Sequence, residues 1–316
     1  MQHHATGQLP QGNESHIRYG GVGGIAYHYV ADTYIALFTR FIPCGVWEAV
    51  HLIEGLLANT SDTQPDTIHA DTQGQSLPVF TLAHLFGFDL VPRIRNWKDL
   101  TFFLPFDQAR YQHIDALFGE SGRRQAIDWT LIETHWPDLM RAALSIREGK
   151  LNSVTLMRRL SSRSRKNHIY RAFREVGRAV RTTVLLRYLA DAKLRARVDA
   201  ATNKAEAYNG FTQWLRFASD VLERNDPAEQ EKLVKFTNLL ANLVAFHTAL
   251  DLTEVIRSLI SEGWQISAAD IATLSPYLTR HIRRFGAYAT DELTTPPGSY
   301  DPHLSDVDFT DLRPAA

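Results

Sequence analysis

Residues 67–95 read TIHADTQGQSLPVFTLAHLFGFDLVPRIR. Thr67 and Ile68 are β-branched and lead through His69 and Ala70 to Asp71, which predicts a short strand at 67–70 with a carboxylate at its end. Gly74 permits a turn. Residues 77–86 form a helix that Gly87 can terminate. Residues 90–95 form the next strand. Arg93 and Arg95 flank Ile94, so the two-residue period of a strand puts both arginines on one face. A carboxylate at a strand terminus, with cations on the neighbouring strand, suits a metal site that meets phosphate.

Upstream, residues 25–30 and 35–42 are rich in β-branched and aromatic residues. They predict two strands in a hairpin around Ala31, Asp32 and Thr33. Pro43 and Gly45 end the second strand. Residues 46–58 place Val46, Val50, Ile53, Leu56 and Leu57 at helical spacing. The GGVGG run at 20–24 matches neither Gly-rich nucleotide motif and has no following lysine, so it is expected to be a loop. The first 95 residues therefore give the order β-β-α-β-α-β. The N-terminus, MQHHATGQLPQGNESH, is polar and without periodicity; it is read neither as the start of a fold nor as a signal peptide.

From about residue 97 no strand is expected. Helices are predicted at 129–148, 153–160, 169–189, 194–219, 227–262 with one break, and 268–285. Ser267 caps the last of these, with Asp270 in its first turn. Residues 293–316 carry several prolines and aspartates and are expected to be disordered.

At 316 residues and 44% hydrophobic, the chain can bury a sizeable core. One cysteine, Cys44, excludes a disulfide framework and fits a reducing, cytoplasmic compartment. No apolar run approaches the ~20 residues needed to span a bilayer. The net charge of −1 is unevenly placed. Residues 158–187 hold ten basic side chains, among them Arg171, Arg174, Arg178, Arg181 and Arg187, against the single acid Glu175. Such a cluster is the electrostatic footprint of nucleic-acid contact, the bland reading being a solvated arginine-rich helix.

Three segments in this order carry a resemblance: HADTQG at 69–74, HLFGFDLVPRIR at 84–95 and NKAEAYN at 203–209. LIEGLL at 52–57, SIREGKLNSVTLMRRL at 145–160, REVGRAVRTTVLLRYL at 174–189 and LSPYLTRHIRRFGAY at 274–288 extend it across most of the chain. Together they resemble the catalytic region of Tn3-family transposases. The resemblance implies a mixed α/β (α+β) class: a ribonuclease H-like catalytic sheet, incomplete at its N-terminus, with a large helical insertion and a helical C-terminal part. On that pattern residues 1–96 are the strand-rich part and 97–195 the insertion with the basic block. Residues 196–292 then hold the final catalytic helix and the C-terminal helices.

The resemblance also implies a DDE triad with two Mg²⁺ ions, DNA (transposon terminal inverted repeats and target DNA) as partner, a possible homodimer and no membrane partner. Asp71 matches the second Asp of the triad and Glu206, 135 residues further on, matches the Glu. Hard oxygen ligands suit Mg²⁺, and a strand-end Asp with a helix-borne Glu makes a rigid mount for them. The first Asp, in a Ser-Asp-Gly-like segment roughly seventy residues before Asp71, would fall at or just before Met1 and has no match. The expectation is therefore a Tn3-like transposase impaired in DDE strand cleavage and transfer, or a non-catalytic DNA-binding or oligomerising remnant. Arg171, Arg174, Arg178 and Lys204 are expected to meet DNA. Arg93 and Arg95 are expected to meet DNA or to pair with active-site carboxylates. His69 is expected to pack or hydrogen-bond near Asp71, and His84 to be structural.

Overall fold

The computed structural model of the chain describes residues 2–6, 23–43, 48–59, 64–119, 125–152, 156, 168–215, 221–222 and 226–280. The predicted helix at 153–160, the tail at 293–316 and five of the ten basic residues of the 158–187 block lie outside them, apart from position 156. The fold is mixed α/β and mostly helical. It divides into two compact units, Gly45–Asn203 and the pair of segments Met1–Cys44 and Lys204–Ala316.

The unit Gly45–Asn203 is built around α2 (Leu77–Leu85). Pro78 starts this helix where its missing N–H costs nothing. The six residues from Pro78 to Ala83 are all buried, so the helix is covered nearly all round and is not the one-faced helix the sequence suggests. On it pack α1 (Glu48–Leu57), α3 (Trp129–Arg147) and α4 (His168–Ala190).

The contact with α4 is a backbone contact. A Cβ on Gly177 would lie 2.1 Å from the Leu77 carbonyl oxygen and 2.6 Å from its carbon, so only glycine lets the two helices meet there. Thr81 stitches the same seam by donating from Oγ1 to the Phe173 carbonyl at 2.5 Å.

Beside α2 run β4 (Thr67–Ile68) and β5 (Asp89–Leu90), parallel and shorter than expected. Their backbone bonding continues past the regular pairs: Val91 donates to the Ile68 carbonyl and Arg93 to that of Ala70. The chain thus reaches Asp71 still tied to its neighbour.

The other unit holds a four-stranded sheet in the order β3-β2-β1-β6. β2 (Gly23–Val30) and β3 (Ala36–Pro43) form the expected hairpin, with β2 starting inside the run taken as a loop. Two strands are unexpected. β1 (Gln2–Thr6) pairs antiparallel with β2, and β6 (Val221–Leu222) pairs parallel with β1. The sheet is therefore not left open beside β2, contrary to the expectation of an incomplete N-terminal edge. QHHAT carries no strand signature of its own; β2 supplies the ladder that makes it one.

The helix α5 (Ala192–Leu215) begins in one unit and ends in the other. Asp191 caps its start, accepting from the backbone of Lys193 and Leu194. The helix α6 (Pro227–Ser261) runs unbroken, so the predicted break is absent. Its stretch Ala228–Ser261 is long and apolar enough, by length and composition alone, to cross a bilayer. Interspersed Asn and Thr residues hide this from a search for continuous apolar runs. The helix α7 (Ala268–Ala272) has the expected Ser267–Asp270 capping box but stops early, because Pro276 disfavours helix before it.

Two glycines test the packing. Gly177→Ala forces a methyl group into the Leu77 backbone and is expected to cost about 3 kcal/mol in urea unfolding. Gly210→Ala on α5, where a Cβ would meet nothing within 4 Å, is expected to gain about 0.5–1 kcal/mol from helix propensity. An unchanged midpoint for Gly177→Ala would contradict the backbone contact.

Candidate functional site

Asp71 ends the β4 segment and is exposed. Its carbonyl accepts from Gly74 in the first turn of a short 3-10 helix, Thr72–Gln75. Gly74 serves crowding and not a left-handed turn: a Cβ there would meet the Ala70 Cβ at 2.7 Å and that of Pro92 at 3.3 Å. Gln75 donates to the Arg93 carbonyl at 2.9 Å, which closes the turn against the second strand. The carboxylate thus sits on a backbone held from both sides. His69 hydrogen-bonds through Nδ1 to the Val91 carbonyl at 3.1 Å, the local role expected of it. His84 is exposed in the last turn of α2.

Ile94 is buried, and Arg93 and Arg95 turn outward on either side of it, as the strand period requires. Arg93 Nε lies 3.3 Å from Asp199 on α5, a carboxylate that sequence reasoning did not single out. Arg95 is exposed.

The basic helix α4 shows how the five described arginines of the block are housed. Arg171 and Arg174 are exposed. Arg178 is half-buried and pairs with Glu175 at 2.7 Å. Glu175, buried at 8% exposure, also accepts from the Asp128 backbone at 3.2 Å. The block's one acid therefore neutralises Arg178 and holds α3 to α4. Arg187 forks onto both oxygens of Asp89, at 3.0 and 2.9 Å, and ties the end of α4 to β5.

Glu206 and Lys204 lie in the other unit, on α5. Glu206 is exposed. Two residues on, Tyr208 turns inward and is fully buried with Phe211, Leu215, Ala36, Ala241, Ala245 and Tyr277. Its hydroxyl donates to Asn238 on α6, and its ring meets the His28 ring edge-on at 5.1 Å. Burial without charge compensation pushes the Tyr208 phenol well above its ordinary range. Asn242 holds the start of β3 at two points, donating to the Ala36 carbonyl at 2.8 Å and accepting from its N–H at 3.0 Å. The segment that carries Glu206 is thereby fixed to the sheet and to α6.

Lys204 donates to the Asp32 carbonyl and sits 4.0 Å from the centre of the Tyr34 ring. Desolvation lowers its pKa, opposed by Asp32. The strand turn thus holds a lysine that spacing alone had offered to DNA. Tyr34 has a positive φ of 67°, a conformation tolerated because its ring is gripped by Lys204 and Tyr277.

Among the described residues, no three His, Cys, Asp or Glu side chains come together as a metal site. β1 is QHHAT and contributes no carboxylate. The residues described do not fit a complete two-metal centre.

The model of the Tn3 transposase DDE domain matches residues 1–288. This chain belongs to that family. Its relatives include the transposase for transposon Tn1546 of Enterococcus faecium, 29% identical over 85% of this chain. The transposase for transposon Tn501 of Pseudomonas aeruginosa is 30% identical over 86%. The transposase for transposon gamma-delta of Escherichia coli is 28% identical over 87%. The chain spans 27% of the length of each of these relatives. No solved protein structure matches it. Family membership agrees with the motifs at 69–74, 84–95 and 203–209.

Tyr208→Phe leaves the Asn238 oxygen without its donor and is expected to cost about 1–3 kcal/mol at neutral pH. The phenol's folded pKa is raised, so its contribution is complete below the ordinary value of about 10 and is lost as pH climbs past it. Unfolding followed from pH 8 to 11 should therefore show a shallower alkaline decline in Tyr208→Phe than in the parent. Parallel declines would argue against this role.

Proposed function

We propose that this chain is a transposase catalytic segment that binds DNA, transposon ends and target, but is impaired in DDE strand cleavage and transfer. The observation that carries the impairment is the composition of β1. The resemblance puts the first metal ligand on the first strand of a ribonuclease H-like sheet. The strand beside β2 is QHHAT, with no Asp or Glu. Asp71 and Glu206 are the two retained carboxylates. Both are exposed on firmly anchored elements, which suits ligands that must reach a metal and a phosphate.

The family uses a divalent metal, and Mg²⁺ is the ion its chemistry would take. Two carboxylates do not fill a two-metal site, and no cleavage step is assigned to this chain. DNA is the partner favoured by the basic helix, with Arg171, Arg174 and Arg95 open to solvent. Arg178, Arg93 and Lys204 already hold partners and would contact DNA only by sharing them. A bacterial cytoplasm is the compartment such a protein needs.

The missing third carboxylate and the basic helix also favour a second reading. The chain would occupy transposon ends without cutting them, alone or as a homodimer, and so compete with an intact transposase.

The test is an end-labelled transposon-end duplex incubated with the 316-residue chain and Mg²⁺. The expected outcome is a salt-dependent shift in mobility with no nicked strand. A 3′ nick that is lost in Asp71→Ala would overturn the impairment. Absence of any salt-dependent shift would overturn the DNA reading.

A further inference from the structure

Arg174, Arg178 and Arg181 recur along α4 at i, i+4 and i+7 and so share one face of the helix. Two of them converge on a single ring. The guanidinium carbon of Arg178 lies 4.6 Å from the centre of Phe103, and that of Arg181 lies 5.8 Å from it. The ring is fixed from behind, since the Phe103 backbone N–H donates to Thr182 Oγ1 at 3.1 Å. Glu175 is the one carboxylate bonded in this group, and it is committed to Arg178 and to the Asp128 backbone. Arg181 bonds the Thr101 carbonyl at a long 3.3 Å. The Nε groups of both Arg178 and Arg181 are buried without an acceptor.

We infer that Arg181 and Arg178, oriented by the Phe103 ring and, for Arg181, by the Thr101 carbonyl, form a seat for a backbone phosphate of nucleic acid. This rests on the DNA reading above and adds a site that the sequence block alone did not single out. The Arg178 and Arg181 guanidinium groups meet at a half-buried position over one ring and repel each other, with exposed Arg174 on the same helix face, and a phosphate relieves that repulsion. Burial and the charges of Arg178 and Arg174 already lower the pKa of Arg181, which records the same crowding.

The chemistry selects phosphate. A guanidinium presents a planar fork that matches two phosphate oxygens, and the aromatic face keeps that fork oriented while it waits. A low local dielectric strengthens the pairing. From Arg171 to Arg181 the stripe climbs about 15 Å of helix. That length follows several phosphates of one strand, with Arg181 at its inner end.

The experiment measures fluorescence anisotropy of a labelled 30-bp duplex with the 316-residue chain between 50 and 200 mM KCl. Arg181→Gln is expected to weaken binding about tenfold and to lower the salt slope by about one. Arg181→Lys keeps the charge, so it should keep the slope and recover only part of the affinity, because it lacks the fork. It also carries the test if Arg181→Gln melts lower than the parent.

Unchanged slope and affinity in Arg181→Gln, with weakened binding in Arg171→Glu, would overturn the seat and leave the DNA reading standing. No DNA binding by the parent chain would overturn both. A rise in melting temperature with inorganic phosphate that Arg181→Gln abolishes, without any change in its DNA slope, would assign the seat to small phosphates and overturn the nucleic-acid claim.

Discussion

The contact of Gly177 with the Leu77 backbone governs the unit Gly45–Asn203. It is a steric constraint before it is an energy: a hydrogen is all the space allows. Because α4 lies with its backbone against the first turn of α2, the basic helix has one place to go. That first turn follows directly on the Asp71 turn, so the same contact relates the arginine stripe to the carboxylate. Thr81 bonding the Phe173 carbonyl and Arg187 forking onto Asp89 fix the two helices along their length. The burial of α2 from Pro78 to Ala83 follows: a helix that supports strands, a basic helix and α1 leaves water little more than its last turn.

The other unit solves a different problem, that of holding an exposed carboxylate on a long helix. Glu206 is anchored through its neighbour. Tyr208 carries the burial, the hydrogen bond and the ring contacts, and Glu206 is turned out by the helical period. Asn238 and Asn242 lie on the stretch of α6 that packs on the sheet, and both bond the β3 start. A buried amide with its partners met fixes register in a way that apolar packing cannot.

Much of this was legible in the sequence. The hairpin, α1, α2 and the basic helix follow from periodicity and from glycine and proline, and the order of motifs carried the family. The alternation of Arg93, Ile94 and Arg95 was readable because it is local. What escaped was set by tertiary pairing. QHHAT becomes a strand only because β2 offers an edge, and the two residues of β6 have no signal short of their partner. The early end of α7 was readable from Pro276 and was overlooked. The loss of Arg178 to Glu175 lay within one helical turn, yet charge counting treats every arginine alike. Phe103, which gathers two guanidinium groups, sits on a loop with no motif to mark it.

The central proposal is that Asp71 and Glu206 are the two carboxylates of the family's site present in this chain, with no third beside them. Titrating Mn²⁺ into the DNA-bound chain and following the free ion by electron paramagnetic resonance addresses this directly. The account predicts no saturable pair of ions at submillimolar concentration. Two ions held per chain, and lost in both Asp71→Ala and Glu206→Ala, would contradict it.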